Sequence, residues 1–307
     1  MTLVCPTKIK SGDQVGIVAP AGPIEPVSLK KGLRVIRQMG FEPVLGCHIW
    51  ERQRFLAGTD EQRAKDLMNM FQDPEIKAIF CARGGYGVNR LLPLLKPRII
   101  RKNPKIVVGS SDITLLLWFL NHKCSLVSFH GPMVAGSFGR RSMTKSKKQM
   151  QGLLSGKVFS RNLKMDSAKV IRPGKSQGVL TGGCLSLLCR SLKTPYEIKV
   201  SGRILLIEDV NERPYRIDGM LWQLREAGKF RGVRGIIFGE MVHCDPENGE
   251  DYSLGEVISD FFQDFDFPVM MNCPIGHGEE LWTLPLGVEA SMNTKTRSLK
   301  LVSCGVL

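Results

Sequence analysis

The sequence predicts an α/β protein: a mostly parallel sheet covered by helices on both faces, joined to a smaller domain rich in β-structure. Three observations carry this reading. Segments of strand character alternate with segments of helical spacing through the first 150 residues, the pattern of repeated βαβ units. The strands are near-continuous apolar runs rather than alternating ones, as expected for strands buried on both faces. After residue 176 the pattern changes to short, glycine-rich strand–turn units. The expected division is 1–150 for the α/β domain, 151–176 for an irregular polar linker, and 177–307 for the β-rich domain.

Taken in order, "DQVGIVAPAGP" (13–23) is a strand that ends at Pro and Gly. "PVSLKKGLRVIRQMG" (26–40) has apolar residues at helical spacing and a glycine stop, and an extended "FEPVLG" follows it. "DEQRAKDLMNMFQD" (60–73) is a helix with acidic residues in its first turn, where the helix dipole favours them. "IKAIFCARGGYG" (76–87) is a strand running into a glycine turn, and "VNRLLPLL" opens another helix. "KIVVGSSD" is strand then turn, "ITLLLWFLNHKC" helix, and "SLVSFHGPM" strand then turn. Ligands bind beyond the carboxyl ends of such parallel strands, so the loops "APAGP", "ARGGYG", "GSSD" and "HGPM" are expected at one edge. In the second half, "GVLTGGCLSLLCRSL", "RILLIEDV", "VRGIIFGEM" and "FPVMMNCPIGHG" read as short strands or strand–turn units. "RIDGMLWQLREAG" (216–228) is the one clear helix, and "GVEASMNTKTRSLKLVS" reads as a strand pair.

The chain has 307 residues, 43% of them hydrophobic, enough for about two domain cores. No apolar run reaches the roughly 18 residues of a membrane span. The N-terminus lacks the layout of a secretory signal, so a soluble cytoplasmic protein is expected. Nine cysteines, with no C-x-x-C pair, argue against a disulfide framework or a zinc site. Residues 1–150 hold 24 Lys/Arg against 10 Asp/Glu, and the remainder 19 of each. The excess concentrates in "KPRIIRKNPK" (96–105) and "RRSMTKSKK" (140–148). No aromatics interleave with these clusters and no nucleic-acid motif is present, so they read as solvated faces rather than a nucleic-acid surface.

The chemistry lies in the loops. "VVGSSDI" places hydroxyls on a turn between strand and helix, where a nucleophile stands clear of the sheet and the following amide can stabilise an oxyanion. Ile113 stands where the usual elbow has its second glycine. The competing reading is an N-cap for the helix at 112–121; the pattern does not separate Ser110 from Ser111. A serine nucleophile needs a base and an orienting carboxylate. Among five histidines, His277 in "GHG" suits an imidazole exposed at a loop, with His130 in "FHGPM" its main competitor; His48 and His122 sit in unremarkable contexts. Glu208 and Asp209 follow an apolar run, where an unpaired charge is costly. Glu208 therefore either meets a histidine ring or pairs with Arg213 or Arg216. "CARGGYG" lets Gly84 and Gly85 approach a ligand closely. Arg83 suits a substrate carboxylate, and Tyr86 joins it as a substrate-binding candidate. Neither G-x-G-x-x-G nor Walker A is present, so nucleotide binding has little support.

The ordered set "VAPAGP", "ARGGYG", "GSSDIT", "HGPM", "LTGGCLSLL", "IEDVNERPYRIDGML" and "PIGHG" followed by "LPLG" resembles the LD-carboxypeptidases, serine peptidases whose family includes the microcin C self-immunity proteins. The resemblance spans about residues 12 to 290. It implies a flavodoxin-like or glutamine-amidotransferase-like N-terminal domain bearing the nucleophile Ser111, and a β-rich C-terminal domain supplying Glu208 and the base His277. It further implies hydrolysis of the L–D amide before the terminal D-alanine of murein tetrapeptides in cell-wall recycling, a homodimer, and no metal or organic cofactor. The oxyanion would be held by the amides of Asp112 and of Gly84 or Gly85. Glu240 is a candidate for a substrate amine. This chain departs from the family at Ser110, commonly an aromatic residue, and at Ala82, commonly Thr. Two alternatives stand beside this expectation. One is a self-immunity hydrolase acting on peptidyl-nucleotide amides, for which Trp282 is the obvious stacking platform. The other is a catalytically silent binding protein using the basic first half.

Overall fold

The computed structural model describes residues 3–139, 143–157, 162–247 and 250–307. It divides into two compact units: Met1–Phe159 with Trp282–Gly287 and Cys304–Leu307, and Ser160–Leu281 with Val288–Ser303. Both units are therefore discontinuous in sequence, because the chain returns to the first unit twice near its end.

The first unit alternates strand and helix as the apolar runs require. Strands β1 (Gln14–Val18), β2 (Glu42–Leu45), β3 (Ile76–Cys81), β4 (Ile106–Gly109) and β5 (Ser128–His130) alternate with α1 (Pro26–Gln38), α2 (Asp60–Gln72), the short α3 (Val88–Leu91) and α4 (Pro97–Lys102), and α5 (Thr114–Lys123); α6 (Thr144–Ser155) follows. The strands lie in the order β2-β1-β3-β4-β5, all parallel, and a late strand, β12 (Leu284–Leu286), adds antiparallel to β5. This is the flavodoxin-like order of a doubly wound sheet. Every residue of β4 is buried, which accounts for its unbroken apolar sequence. Helix α2 begins at a capping box: Thr59 Oγ1 accepts from the Gln62 amide at 3.2 Å, and Gln62 Oε1 accepts from the Thr59 amide at 2.8 Å. Two helix-terminus donors are thus satisfied at one point. Helix α5 buries every residue from Thr114 to Asn121, so its lack of a polar stripe reflects packing on all sides.

The second unit holds an eight-stranded mixed sheet in the order β6-β14-β13-β8-β9-β10-β11-β7. Its centre is four parallel strands, β8 (Lys175–Cys184), β9 (Arg203–Val210), β10 (Gly235–Val242) and β11 (Val269–Met271). Antiparallel strands β6 (Asn162–Lys164), β7 (Lys169–Arg172), β13 (Glu289–Asn293) and β14 (Ser298–Leu301) flank them. The terminal strand pair is the β13–β14 hairpin. Two expectations are corrected. Residues 151–176 are not an irregular linker: they contain the end of α6 and the strands β6 and β7. Those strands form the two edges of the sheet, and edge strands carry the polar, half-exposed residues that blunt further pairing. Among the described residues the second half also has three helices rather than one: α7 (Leu185–Ser191), α8 (Pro214–Glu226) and α9 (Leu254–Phe262). Helix α9 starts at its own capping box, Ser253 with Glu256.

The basic cluster at 96–105 divides by burial. Lys96, Arg98, Arg101 and Lys102 are exposed on or beside α4, whereas Lys105 is buried. In the cluster at 140–148, Arg140 and Arg141 lie outside the described residues, and Lys145 and Lys148 are exposed on α6. Among the described residues, no helix is long and apolar enough to cross a membrane.

Candidate active site

In the first unit, the turn after β4 distinguishes the two serines. Ser110 is extended, with φ −150° and ψ −174°, and is 1% exposed. Ser111 sits at φ +58° and is half-buried. A non-glycine residue in the left-handed region is held there by its surroundings at a cost of roughly 1–3 kcal/mol, and a strained strand-to-helix turn is how a nucleophilic serine is presented. Neither serine caps the helix: no side-chain cap bond forms at the short turn Ser111–Ile113 or at α5. Asp112 Oδ2 instead accepts from the Val88 amide at 2.9 Å, which ties the Ser111 turn to the end of the glycine loop. Ile113, at the place of the missing second glycine, is buried against Gly109; a Cβ at 109 would lie 2.6 Å from Ile113 Cγ2.

The glycine loop lies against Ser111. A Cβ on Gly84 would stand 2.8 Å from Ser111 Cβ, 2.9 Å from its Oγ and 3.4 Å from the Asp112 nitrogen. Only a residue without a side chain permits that approach. The Gly22 amide donates to the Gly84 carbonyl at 3.2 Å, so the "APAGP" and "ARGGYG" loops meet at one edge as expected. Arg83, half-buried, donates from Nη1 to the Pro23 carbonyl at 3.0 Å. Exposed Tyr86 packs edge-on to exposed Phe55, with ring centroids 5.6 Å apart. His130, the alternative base, is 1% exposed within β5 and registers opposite Gly109, a sheet position rather than a loop tip.

In the second unit, Glu208 near the end of β9 is fully buried, and its Oε2 lies 2.7 Å from Nδ1 of His277, which is 21% exposed. The two residues are 69 apart in sequence. An ionised carboxylate only accepts, so Nδ1 carries the proton and Nε2 is left as the basic atom. The arginines proposed as competing partners are engaged elsewhere: Arg213 with Glu247, and Arg216 with Glu212 at 3.7 Å. The loop is shaped around this carboxylate. At Gly276, φ is +109° and a Cβ would lie 2.8 Å from Glu208 Oε2, so both backbone conformation and space require glycine. Glu240, half-buried at the end of β10, takes its amide hydrogen bond to the Ile275 carbonyl at 2.9 Å. Its carboxylate fills the space that a side chain at Gly278 would need.

Asp209 has a separate duty that the sequence reading did not assign. Its Oδ2 accepts from the Ser186 amide at the start of α7, and its Oδ1 from the Val210 amide, both at 2.8 Å. Burial raises its pKa, and the neighbouring Glu208 charge raises it further. The structure therefore brings Glu208, His277 and Glu240 together in one unit. It brings Ser111, Asp112, Gly84 and Arg83 together in the other. Among the described residues no group of three or more His, Cys, Asp or Glu is placed to hold a metal ion.

The first unit thus holds a parallel sheet with a serine turn in the left-handed region, and the second a buried carboxylate–imidazole pair. The chain belongs to the LD-carboxypeptidase family of peptidases: the family's N-terminal domain matches residues 15–131 and its C-terminal domain residues 177–292. It is 37% identical to a probable murein peptide carboxypeptidase of Bacillus subtilis, over 95% of this chain and 92% of that protein. It is 26% identical to the microcin C7 self-immunity protein of Escherichia coli, over 94% of this chain and 93% of that protein. Among solved structures, muramoyltetrapeptide carboxypeptidase from Oxalobacter formigenes superposes with a TM-score of 0.83 at 28% identity, covering 94% of this chain and 97% of that one.

Proposed function

We propose that this protein is a serine carboxypeptidase that hydrolyses the L–D amide bond before the terminal D-alanine of murein tetrapeptides, in the service of cell-wall recycling. The observation that carries the proposal is the 2.7 Å pair between buried Glu208 and His277, a base already oriented in the tautomer that catalysis needs. Ser111 is the nucleophile. In this mechanism His277 Nε2 takes the Ser111 proton as the hydroxyl attacks the amide carbonyl. Glu208 stabilises the imidazolium. The oxyanion accepts hydrogen bonds from the amides of Asp112 and of Gly84 or Gly85, each worth about 3 kcal/mol in the transition state. His277 then protonates the departing D-alanine amine, and water activated by the same imidazole resolves the acyl-enzyme. Arg83 receives the terminal carboxylate of the substrate and Glu240 a substrate amine, with Tyr86 lining the approach.

A second reading rests on the likeness to the self-immunity protein and on the exposed Phe55–Tyr86 pair, an aromatic surface suited to stacking a nucleobase: the same Ser–His–Glu groups acting on a peptidyl-nucleotide amide. One experiment decides between the readings. The protein is incubated in parallel with L-Ala-γ-D-Glu-meso-diaminopimelyl-D-Ala and with an aminoacyl sulfamoyl nucleoside, and D-alanine and nucleoside release are followed. The first reading expects D-alanine release at the higher kcat/KM. Turnover of the nucleoside substrate alone moves the assignment to the second.

A further inference from the structure

The first unit also contains a cavity of about 570 Å³ at the opposite edge of its sheet, where β1, β3 and β4 begin. Ser111 lies beyond the other end of β4, so this cavity is separate from the candidate active site. Five lysines surround it: Lys8, Lys10, Lys77, Lys105 and Lys157. Asp13 is the one carboxylate among the lining residues, and its Oδ2 is engaged by the Lys10 amide at 2.8 Å. Ile9 and Ile76, both buried, and Pro104 supply an apolar floor.

The helix ends at this edge explain only part of the charge. Lys105 Nζ donates to the Met70 carbonyl at 2.7 Å and to the Asp73 carbonyl, and Lys77 Nζ donates to the Pro74 carbonyl at 2.5 Å. These two lysines satisfy carbonyls around the end of α2. Lys8, Lys10 and Lys157 are exposed and form no ion pair among the described residues. Like charges held around one concavity repel, and the cavity focuses their field on an anion inside it. Burial pushes the Lys105 ammonium down to about 8, with the Asp73 charge opposing that fall and the Lys77 charge adding to it. The volume lies within the range of small-ligand sites and exceeds what a lone inorganic ion would fill.

We propose that this cavity binds an organic diphosphate, with its phosphates among the lysines and its ring or alkyl body on the floor formed by Ile9, Ile76 and Pro104. The reading is independent of the peptidase assignment. The test uses ADP as the probe, measured by calorimetric titration of the full chain, with adenosine as the uncharged control. ADP is expected to bind one per chain and to weaken as salt rises, while adenosine does not bind measurably. The charge-neutralising variant K8Q/K10Q is expected to weaken ADP about tenfold. K77Q gives a second, single-site reading should the double variant fail to fold. Arg83→Ala, on the other edge of the sheet, is expected to leave ADP affinity unchanged. The proposal is overturned by absence of ADP binding, by affinity unchanged in the lysine variants, or by loss of binding in Arg83→Ala instead.

Discussion

Each unit carries an imidazole–carboxylate pair, and the two pairs have nearly identical geometry. In the second unit His277 Nδ1 meets Glu208 at 2.7 Å, with exposures of 21% and 0%. In the first, His48 Nδ1 meets Asp66 at 2.7 Å, with exposures of 23% and 4%. Distance and burial do not tell them apart; the surroundings do. Asp66, on α2, accepts from the His48 ring with one oxygen and from the His48 backbone amide, at 2.9 Å, with the other. Its carboxylate closes on a single residue and so anchors the loop that follows β2. Glu208 stands near a strand end, with the His277 loop laid over it at Gly276 and a second carboxylate, Glu240, beside Gly278. The comparison teaches that a buried acid holding a histidine is a common structural device. The imidazole proposed as a base is the one that a loop presents beside a strand end.

The largest expected effect tests the group that the second pair is proposed to serve. Ser111→Ala should lower kcat for D-alanine release by roughly 10³-fold or more, with circular dichroism and Tm unchanged. Full activity in that variant removes the nucleophile from the proposal.

Glu208→Gln, set beside Asp66→Asn, breaks or sharpens the comparison itself. The first should reduce kcat by roughly 10²- to 10⁴-fold, because an amide no longer selects the Nδ1-protonated tautomer. The second should leave kcat unchanged and affect only stability. Equal losses in both would show that the two pairs do not differ in function.

Gly84→Ala is next in size. Its Cβ would press on Ser111 at 2.8 Å, and displacing an oxyanion donor costs about 10²-fold in kcat. KM should change little, since the ground-state carbonyl depends less on that donor than the transition state does. Chelators should have no effect on turnover, because no step of the proposed mechanism passes through a metal.

The smallest effect concerns Lys105. Its pKa is pushed down to about 8 in the folded chain from 10.5, so between those values the unfolded chain binds more protons. Stability of the wild type should therefore gain over that window, relative to Lys105→Met, as pH rises. Urea midpoints measured for both proteins between pH 7 and pH 10.5 check the sign. The opposite slope would mean that the ammonium is stabilised rather than penalised by its site.

The amino-acid sequence by itself determined the alternation of strand and helix, the gathering of glycine-rich loops at one sheet edge, and the residue types of the candidate site. Each of these follows from local spacing, and two glycines flanking His277 were enough to single it out. It did not reveal His48, whose partner lies 18 residues away on a helix. Nor did it show that residues 162–164 and 169–172 are edge strands, because edge strands share the polar composition of loops. Only the tertiary structure set the backbones of Ser110 and Ser111 apart, through an angle of +58° at the second. Only it brought Glu208 to His277 across 69 residues. Such choices rest on which strands lie side by side and which backbone is forced into strain, and no run of neighbouring residues encodes either.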